Sequence, residues 1–544
     1  MAGTSLFAQV DRAVLTGTVT DASGAVISGA IVTAEAPATG FRRETVASLV
    51  GVYRFPGLPV GVYTVSVSQT GFSTVRIEDV VLTVGQTRTV DAALPVGAVA
   101  TAVEVTAAAT PLDQANAEIG AVIEERQMRG IPLNGRHWAA LMMLAPGAVN
   151  VGDGNQNSIR FFGRPRDDNN WTFDGVDATG IKDPRQEGNM RLVISTDSIA
   201  EFRVNSLPFT AESGIGGGAQ VNLVSKTGTN EFHGSVFEFF RNSALDARRP
   251  FDGREPPPLR LNQFGGSLGG PVVKNKTFFF ANYESLFQRL TITRADGLVP
   301  SAAFRARTPS AVRPLIDAFP AGNAAGPNAD VDRLIAETPE RRNEYSGMAR
   351  IDQRINDKHS LFFRLAVSDG FISVIRNGLL ETRDSYIRPS NATLQWQQVW
   401  TSSLVNEVKV GFNRSALTRN DVGILPQGIT IPGFTTTQAT SFIIEKPSTY
   451  SVVDNMSWIR GRHTLKFGGE ARRIHLNVGN GPVHTLNFAS SDAFLRNSLD
   501  RVRVGSQLDT VGVRRTFYSA YAQDEIRVNQ ELTINLGVRY ELFT

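Results

Sequence analysis

The chain has 544 residues, 41% apolar and 20% charged, with 50 Gly, 26 Pro and no Cys. Without Cys there is no disulfide framework, thiolate metal site or cysteine nucleophile, and 55 basic against 52 acidic residues give no case for a nucleic-acid partner. The apolar fraction is too low for a helical membrane protein; the best apolar run, residues 138–149, offers about 12 residues where about 20 are needed, and it holds Pro146 and Gly147.

Residues 1–11 read as a signal-peptide remnant or a disordered terminus. They lack a basic n-region, yet Ser5-Leu6-Phe7-Ala8-Gln9 has the look of a cleaved signal's tail. Residues 12–95 are short apolar runs (14–20, 30–35, 51–55, 62–68, 80–84) split by turn residues such as Asp21-Ala22-Ser23-Gly24 and Pro56-Gly57-Leu58-Pro59. That spacing predicts a β-sandwich of about seven strands. The segment contains no His, so the usual general base is missing and a binding or spacer module is expected.

Gly51-Val52-Tyr53-Arg54-Phe55, the run from Leu58-Pro59 to Val67, and Gly71-Phe72 resemble the carboxypeptidase regulatory-like domain. The resemblance implies a small prealbumin-like sandwich with no catalytic residues of its own.

Residues 96–110 are Ala/Val/Thr-rich and almost uncharged, which reads as a linker. Residues 111–228 then predict an α+β domain with a helix over 114–129, a Pro/Gly/Asn turn over 131–136, a second helix over 138–144 and polar loops from 150 to 188. From 229 to 544 the signature is period-2 alternation. Leu361, Phe363, Leu365 and Val367 share one face against Ser360, Phe362, Arg364 and Ala366; Leu532, Ile534, Leu536, Val538, Tyr540 and Leu542 oppose Thr533, Asn535, Gly537, Arg539 and Glu541.

A soluble antiparallel sheet alternates in the same way. Full charges on the polar face (Arg364, Lys466, Glu470, Arg539, Glu541) of strands about 10 residues long favour a membrane barrel, as do aromatics near strand ends (Trp396, Trp400, Phe412, Trp458, Tyr518, Tyr540). Loop-like stretches at 296–340 and 413–449 fit its outer side. Lipid offers no partner to free backbone groups, so a spanning sheet must close on itself.

Several strings carry a specific resemblance. Asn262-Gln263-Phe264-Gly265-Gly266-Ser267-Leu268-Gly269-Gly270-Pro271, Lys274 to Glu284, His463 to Glu470 and Leu532 to Glu541 resemble barrel strands of Oar-like TonB-dependent outer-membrane receptors. Asn169-Asn170-Trp171-Thr172-Phe173-Asp174-Gly175-Val176-Asp177 and residues 216–228 resemble their plug domain. The fold class expected is therefore mostly β: sandwich, α+β plug, and the N-terminal part of a normally 22-stranded transmembrane barrel. About 315 residues supply 10 to 12 strands with such loops, so the barrel is expected to be carboxy-truncated.

The resemblance implies an outer-membrane location, with plug and sandwich facing the periplasm. It also implies the inner-membrane TonB complex, outer-membrane lipid and a small-molecule or glycan ligand as partners, and no cofactor. Val103, Glu104, Val105, Thr106 and Ala107 match the TonB-contact position; β-branched residues there suit strand addition to a partner's sheet. A plug–barrel structural role falls on Arg160, Arg164, Asn169, Asn170, Asp174 and Gly175, with Arg160, Arg164 and Arg166 expected to form internal ion pairs. Active import of a siderophore or oligosaccharide by TonB-driven plug rearrangement is the implied function. A static structural or adhesion protein of the outer membrane is the alternative.

Other constellations are weak. Gly265-Gly266-Ser267-Leu268-Gly269 matches a nucleophile elbow but lies in strand text. Gly214 to Gly218 lacks the Lys-Ser/Thr of a phosphate loop. The six His show no metal spacing. Asp167, Asp168, Asp174 and Asp177 could ligate calcium, but solvated loop carboxylates are the expectation.

Overall fold

The structure, a computed structural model, describes residues 12–97, 102–106, 119–151, 158–165, 168–179, 194–207, 210–214, 217–248, 255–528 and 532–544. The terminus 1–11, Arg166, Asp167 and the 215–216 part of the Gly-rich run lie outside these residues.

Two sheets make the sandwich. One places Ala13–Asp21 between Val52–Leu58 and the parallel strands Thr87–Thr89 and Ala92–Leu94. The other runs Phe41–Val46, Ile31–Ala36, Gly61–Ser68, Thr74–Leu82, Ala102–Thr106. Leu15, Val32, Phe55, Val65, Val67 and Leu94 fill the space between them without exposure. The strand anticipated at 80–84 is Thr74–Leu82, and Phe41–Val46 was hidden by its charges, three polar residues in a row at Arg42, Arg43 and Glu44.

The next unit is built on a five-stranded sheet in the order Ile119–Glu124, Ile199–Leu207, Gln220–Ser225, Asn170–Phe173, Val176–Asp177. Within the helix expected over 114–129, the described residues are strand over Ile119–Glu124 and helix over Glu125–Gly130; residues 114–118 lie outside the described residues. Ile119, Val122 and Ile123 are β-branched, and antiparallel pairing with Glu201 to Leu207 outweighs helix propensity. Trp138–Leu144 is a 3₁₀ helix rather than an α-helix. Its Trp138 sits edge-on to Trp171 (5.9 Å) and Phe202 (5.2 Å), which centres the core.

The remainder is a curved antiparallel sheet. Its path runs His233–Asn242, Leu259–Val273, Thr277–Pro300, Val331–Arg354, His359–Ile375, Thr382–Thr401, Leu404–Val422, Ser441–Arg460, His463–Asn480, Leu508–Arg527, Thr533–Phe543. One face is apolar and open (Leu365, Leu394, Val410, Val452), and the other is polar and buried against the plug (Arg364, Thr393, Lys409, Glu470). The first and last strands have 10 and 11 residues, near the expected ten, but the nine between them run 15 to 24. About 10 suffice to cross a bilayer, so the ladder continues beyond it on one side. Stretches expected as loops at 296–340 and 413–449 are therefore partly wall, with strands reaching Pro300 and Val422 and resuming at Val331 and Ser441.

One end of the wall has tight turns, at 274–276, 402–403 and 461–462. At the other, long connections pack their own core around Phe304, Phe434, Phe488 and Phe494. Glu381 ties this cap together, accepting from the backbone N–H of Gln438 (2.9 Å) and Ile424 (3.3 Å).

Candidate functional site

The plug meets the wall through a hairpin tip. Asn170–Phe173 and Val176–Asp177 are joined by Asp174 (φ +52°) and Gly175 (φ +71°). Two positive φ values make a primed two-residue turn, and Asp-Gly is a preferred pair for it. The turn projects Asp174 onto the inward polar face of the wall.

There Arg364 Nε donates to Asp174 Oδ2 at 2.7 Å, and neither residue has measurable exposure. The other carboxylate oxygen accepts from Ser225 N at 2.8 Å, with Arg350 Nη1 3.6 Å away. Arg364 uses its remaining donors on Phe173 O (3.1 Å), Asn391 Oδ1 (2.6 Å) and Thr393 Oγ1 (2.7 Å), and its plane lies 3.9 Å from the Phe173 ring centroid. Asp177 repeats the pattern one strand on: Arg472 Nη1 lies 3.1 Å from its Oδ1, and Glu470 holds the same arginine at 2.7 Å. Burial raises the Asp177 carboxyl above its ordinary range, and Arg472 counteracts it.

The wall makes room for this tip. A Cβ on Gly411 would stand 2.1 Å from Val176 Cγ1 and 2.6 Å from Ser451 Oγ. A second cluster holds the far side of the plug, where Arg136 bridges Asp197 (3.1 Å) and wall residue Glu284 (3.1 Å), and Gln263 donates to Glu284 at 2.7 Å. Lys466 of the wall reaches Glu212 at 3.0 Å.

The anticipated residues divide in the structure. Asp174 and Gly175 form the tip. Asn169 and Asn170 are buried but work inside the plug: Asn169 Oδ1 accepts from Ala219 N (3.0 Å), and Asn170 Nδ2 donates to Gln220 Oε1 (2.8 Å). Arg160 and Arg164 are exposed, and among the described residues no ion pair joins either to the wall. Alternation in Ile159–Phe161 explains Arg160, since Ile159 and Phe161 point into the core. Plug and wall pair in both polarities: plug acids Asp174, Asp177 and Glu212 meet wall Arg364, Arg472 and Lys466, and plug Arg136 meets wall Glu284. Asp174 and Asp177, expected as solvated carboxylates, are 0% and 3% exposed, and no metal-binding cluster occurs among the described residues. Arg364, Arg472 and Gly411 were missed; strand alternation marks them as inward, but their plug partners are more than 180 residues away.

Val103 to Thr106 lie in strand Ala102–Thr106, which pairs parallel with Thr74–Leu82 in the register Thr74↔Ala102 to Glu78↔Thr106. The segment is thus the end strand of a sandwich sheet instead of a free linker; Ala107 lies outside the described residues.

The sandwich itself is seated at the tight-turn end of the wall. Arg54 pairs with Glu525 (2.8 Å), Gln397 donates to Gly57 O (2.8 Å) and Arg354 to Gly40 O (2.8 Å). It also touches the plug: Val84 N donates to Glu201 Oε1, and Arg203 Nη1 to Val84 O (3.5 Å). Burial pushes the Glu201 carboxyl up to about 8, against the lowering effect of the Val84 N–H. Short turns face the periplasm in outer-membrane barrels, which puts the sandwich on that side.

A model of the outer membrane beta barrel domain matches residues 224–312 and 307–544, and one of the carboxypeptidase regulatory-like domain matches residues 14–95. The TonB-dependent transporter Oar of Myxococcus xanthus is 28% identical over 308 residues, covering 54% of this chain and 28% of the relative. Among solved structures, the outer membrane transporter YddB from Escherichia coli superposes with a TM-score of 0.55 at 12% identity, over 78% of this chain and 56% of that one. The siderophore receptor PirA from Acinetobacter baumannii gives 0.49 at 15%, over 79% and 58%. The chain thus spans less than two thirds of each of these proteins.

Proposed function

This chain belongs to the outer membrane beta barrel domain family, and from that premise we propose that it serves as a TonB-dependent receptor that imports a nutrient through its barrel. The observation that carries the reading is the plug–wall interface. It combines buried ion pairs, of which Asp174–Arg364 is fully shielded from solvent, with apolar contacts between the plug core and wall residues Phe280, Met348, Ile372 and Ile387. Separating such an ion pair without rehydrating both charges leaves an uncompensated buried charge, which is costly. A plug fastened in this way stays shut against thermal motion and yields to directed pulling.

TonB supplies the pull, and Val103 to Thr106 is the segment it engages. Strand addition needs an extended segment whose backbone can pair with a partner's sheet edge. The segment already holds that conformation as the end strand of the sandwich sheet. Arg160, Arg164, Asn169, Asn170, Asp174 and Gly175 keep the plug in shape and in place. The cargo belongs to the siderophore or oligosaccharide class and is recognised on the side of the Phe304–Phe494 cap. No covalent step takes part in import.

Uptake of labelled ferric siderophores and malto-oligosaccharides, compared in cells with and without TonB, tests the reading. Uptake of one class that disappears without TonB supports it. Uptake independent of TonB, or none of either class from a protein verified in the outer membrane, favours the static structural role.

A further inference from the structure

Where the sandwich sits on the tight turns, the two surfaces border a chamber of about 390 Å³ that is half open to solvent, past exposed Val26 and Val46. Thr16, Thr18 and Arg54 line it from the sandwich, and Arg462, Thr464 and Arg527 from the wall. Three guanidinium groups face this space, and no Asp or Glu is among its lining residues. Arg54 and Thr18 are 7% and 3% exposed.

Their hydrogen bonding is unfinished. Arg54 spends Nη2 on Glu525, but its Nε has no partner. Arg527 Nη1 and Thr18 Oγ1 are likewise buried and unpaired. Thr16 has turned its hydroxyl away, donating to Tyr53 O at 2.9 Å. Buried donors without acceptors are rare because each forfeits a hydrogen bond to water. The volume far exceeds that of one water and lies in the range of small-ligand pockets.

We propose that this chamber binds a compact solute bearing a phosphate or carboxylate group. The anionic oxygens would accept from Arg54 Nε and Arg527 Nη1, with Thr18 Oγ1 as a further donor and Arg462 adding charge. Guanidinium groups suit this chemistry because their planar donors match both oxyanions. An occupied chamber would join sandwich to wall through one shared anion, adding to the direct Arg54–Glu525 pair. The proposal stands apart from transport, since it needs neither TonB nor a cargo.

The test is calorimetric titration of the full chain, purified from outer membranes in a neutral detergent, with inorganic phosphate and with citrate at constant ionic strength. Arg527→Gln and Arg462→Gln are the variants, because each leaves the Arg54–Glu525 pair in place; an unchanged thermal midpoint without anion controls for folding. A parallel arm places the protein in nanodiscs with or without phosphatidylglycerol, to separate a lipid headgroup from a free solute as the source. Saturable binding of phosphate or citrate, weakened at least about tenfold by Arg527→Gln, supports a soluble ligand. Stabilisation by phosphatidylglycerol alone, lost in the same variant, supports the same chamber with a headgroup in it. No saturable binding in either arm, or binding untouched by both variants, overturns the proposal.

Discussion

Asp174 of the plug and Arg364 of the wall are 190 residues apart in sequence and 2.7 Å apart in space, with neither side chain reaching solvent. Withdrawing one charge leaves the other buried without compensation, at a cost of about 3–5 kcal/mol. Asp174→Ala and Arg364→Ala should each lower resistance to urea unfolding by that order. The double variant should cost clearly less than the sum, because no orphaned charge remains. Additive single effects would show that the pair does not hold the plug.

Gly411 is the wall's concession to Val176. Gly411→Val would drive a side chain into the hairpin tip, whose nearest atom is already 2.1 Å from an added Cβ. Overpacking of this kind costs about 1–3 kcal/mol. The variant should keep its barrel, seen as heat-modifiable mobility on gels, while the plug becomes sensitive to protease. Gly347→Ala is the control, since its added Cβ finds its nearest neighbour at 3.5 Å.

Glu201 makes the sandwich–plug contact pH-dependent. Its carboxyl titrates near 8 in the assembled protein against an ordinary 4.5, because burial and nearby Glu124 oppose its charge more than Val84 N–H and Arg203 favour it. A raised acid contributes stability that is complete below its unfolded value and is lost as pH rises through the folded one. Protease cleavage in the linker between sandwich and plug should therefore accelerate from pH 5 to pH 9. Glu201→Gln, permanently neutral, should flatten the profile.

The pairing of Thr74–Leu82 with Ala102–Thr106 can be trapped. Arg76 and Glu104 are register partners, and adjacent strands bring Cα atoms within disulfide range. In this Cys-free chain, Arg76→Cys with Glu104→Cys should form a single intramolecular disulfide under mild oxidation. Uptake should stop in the oxidised form and recover on reduction. Undiminished uptake with the bond intact would show that this strand stays on the sandwich throughout transport.

Much of this was legible in the sequence where structure follows local pattern. Alternation at 360–367 gave the wall its faces because side-chain direction in a strand is fixed by parity. Asp174-Gly175 announces a tight turn through the φ values that those residue types tolerate. What stayed hidden was non-local. Nothing near Asp174 names Arg364 as its partner. Val14, Thr16 and Thr18 look like the solvent face of a sandwich strand, yet all three are buried, because the sheet is pressed onto the barrel turns. Ile119–Glu124 is a strand only because Ile199–Leu207 is there to pair with it.

The proposed import requires TonB to take hold of Val103 to Thr106. Val105→Cys, in cells carrying a Cys-bearing TonB, measures this directly as a disulfide-linked product. A cross-link at Val105 that strengthens when one nutrient class is supplied is the expected result. No cross-link at Val105 or its neighbours, from protein confirmed in the outer membrane, would contradict it.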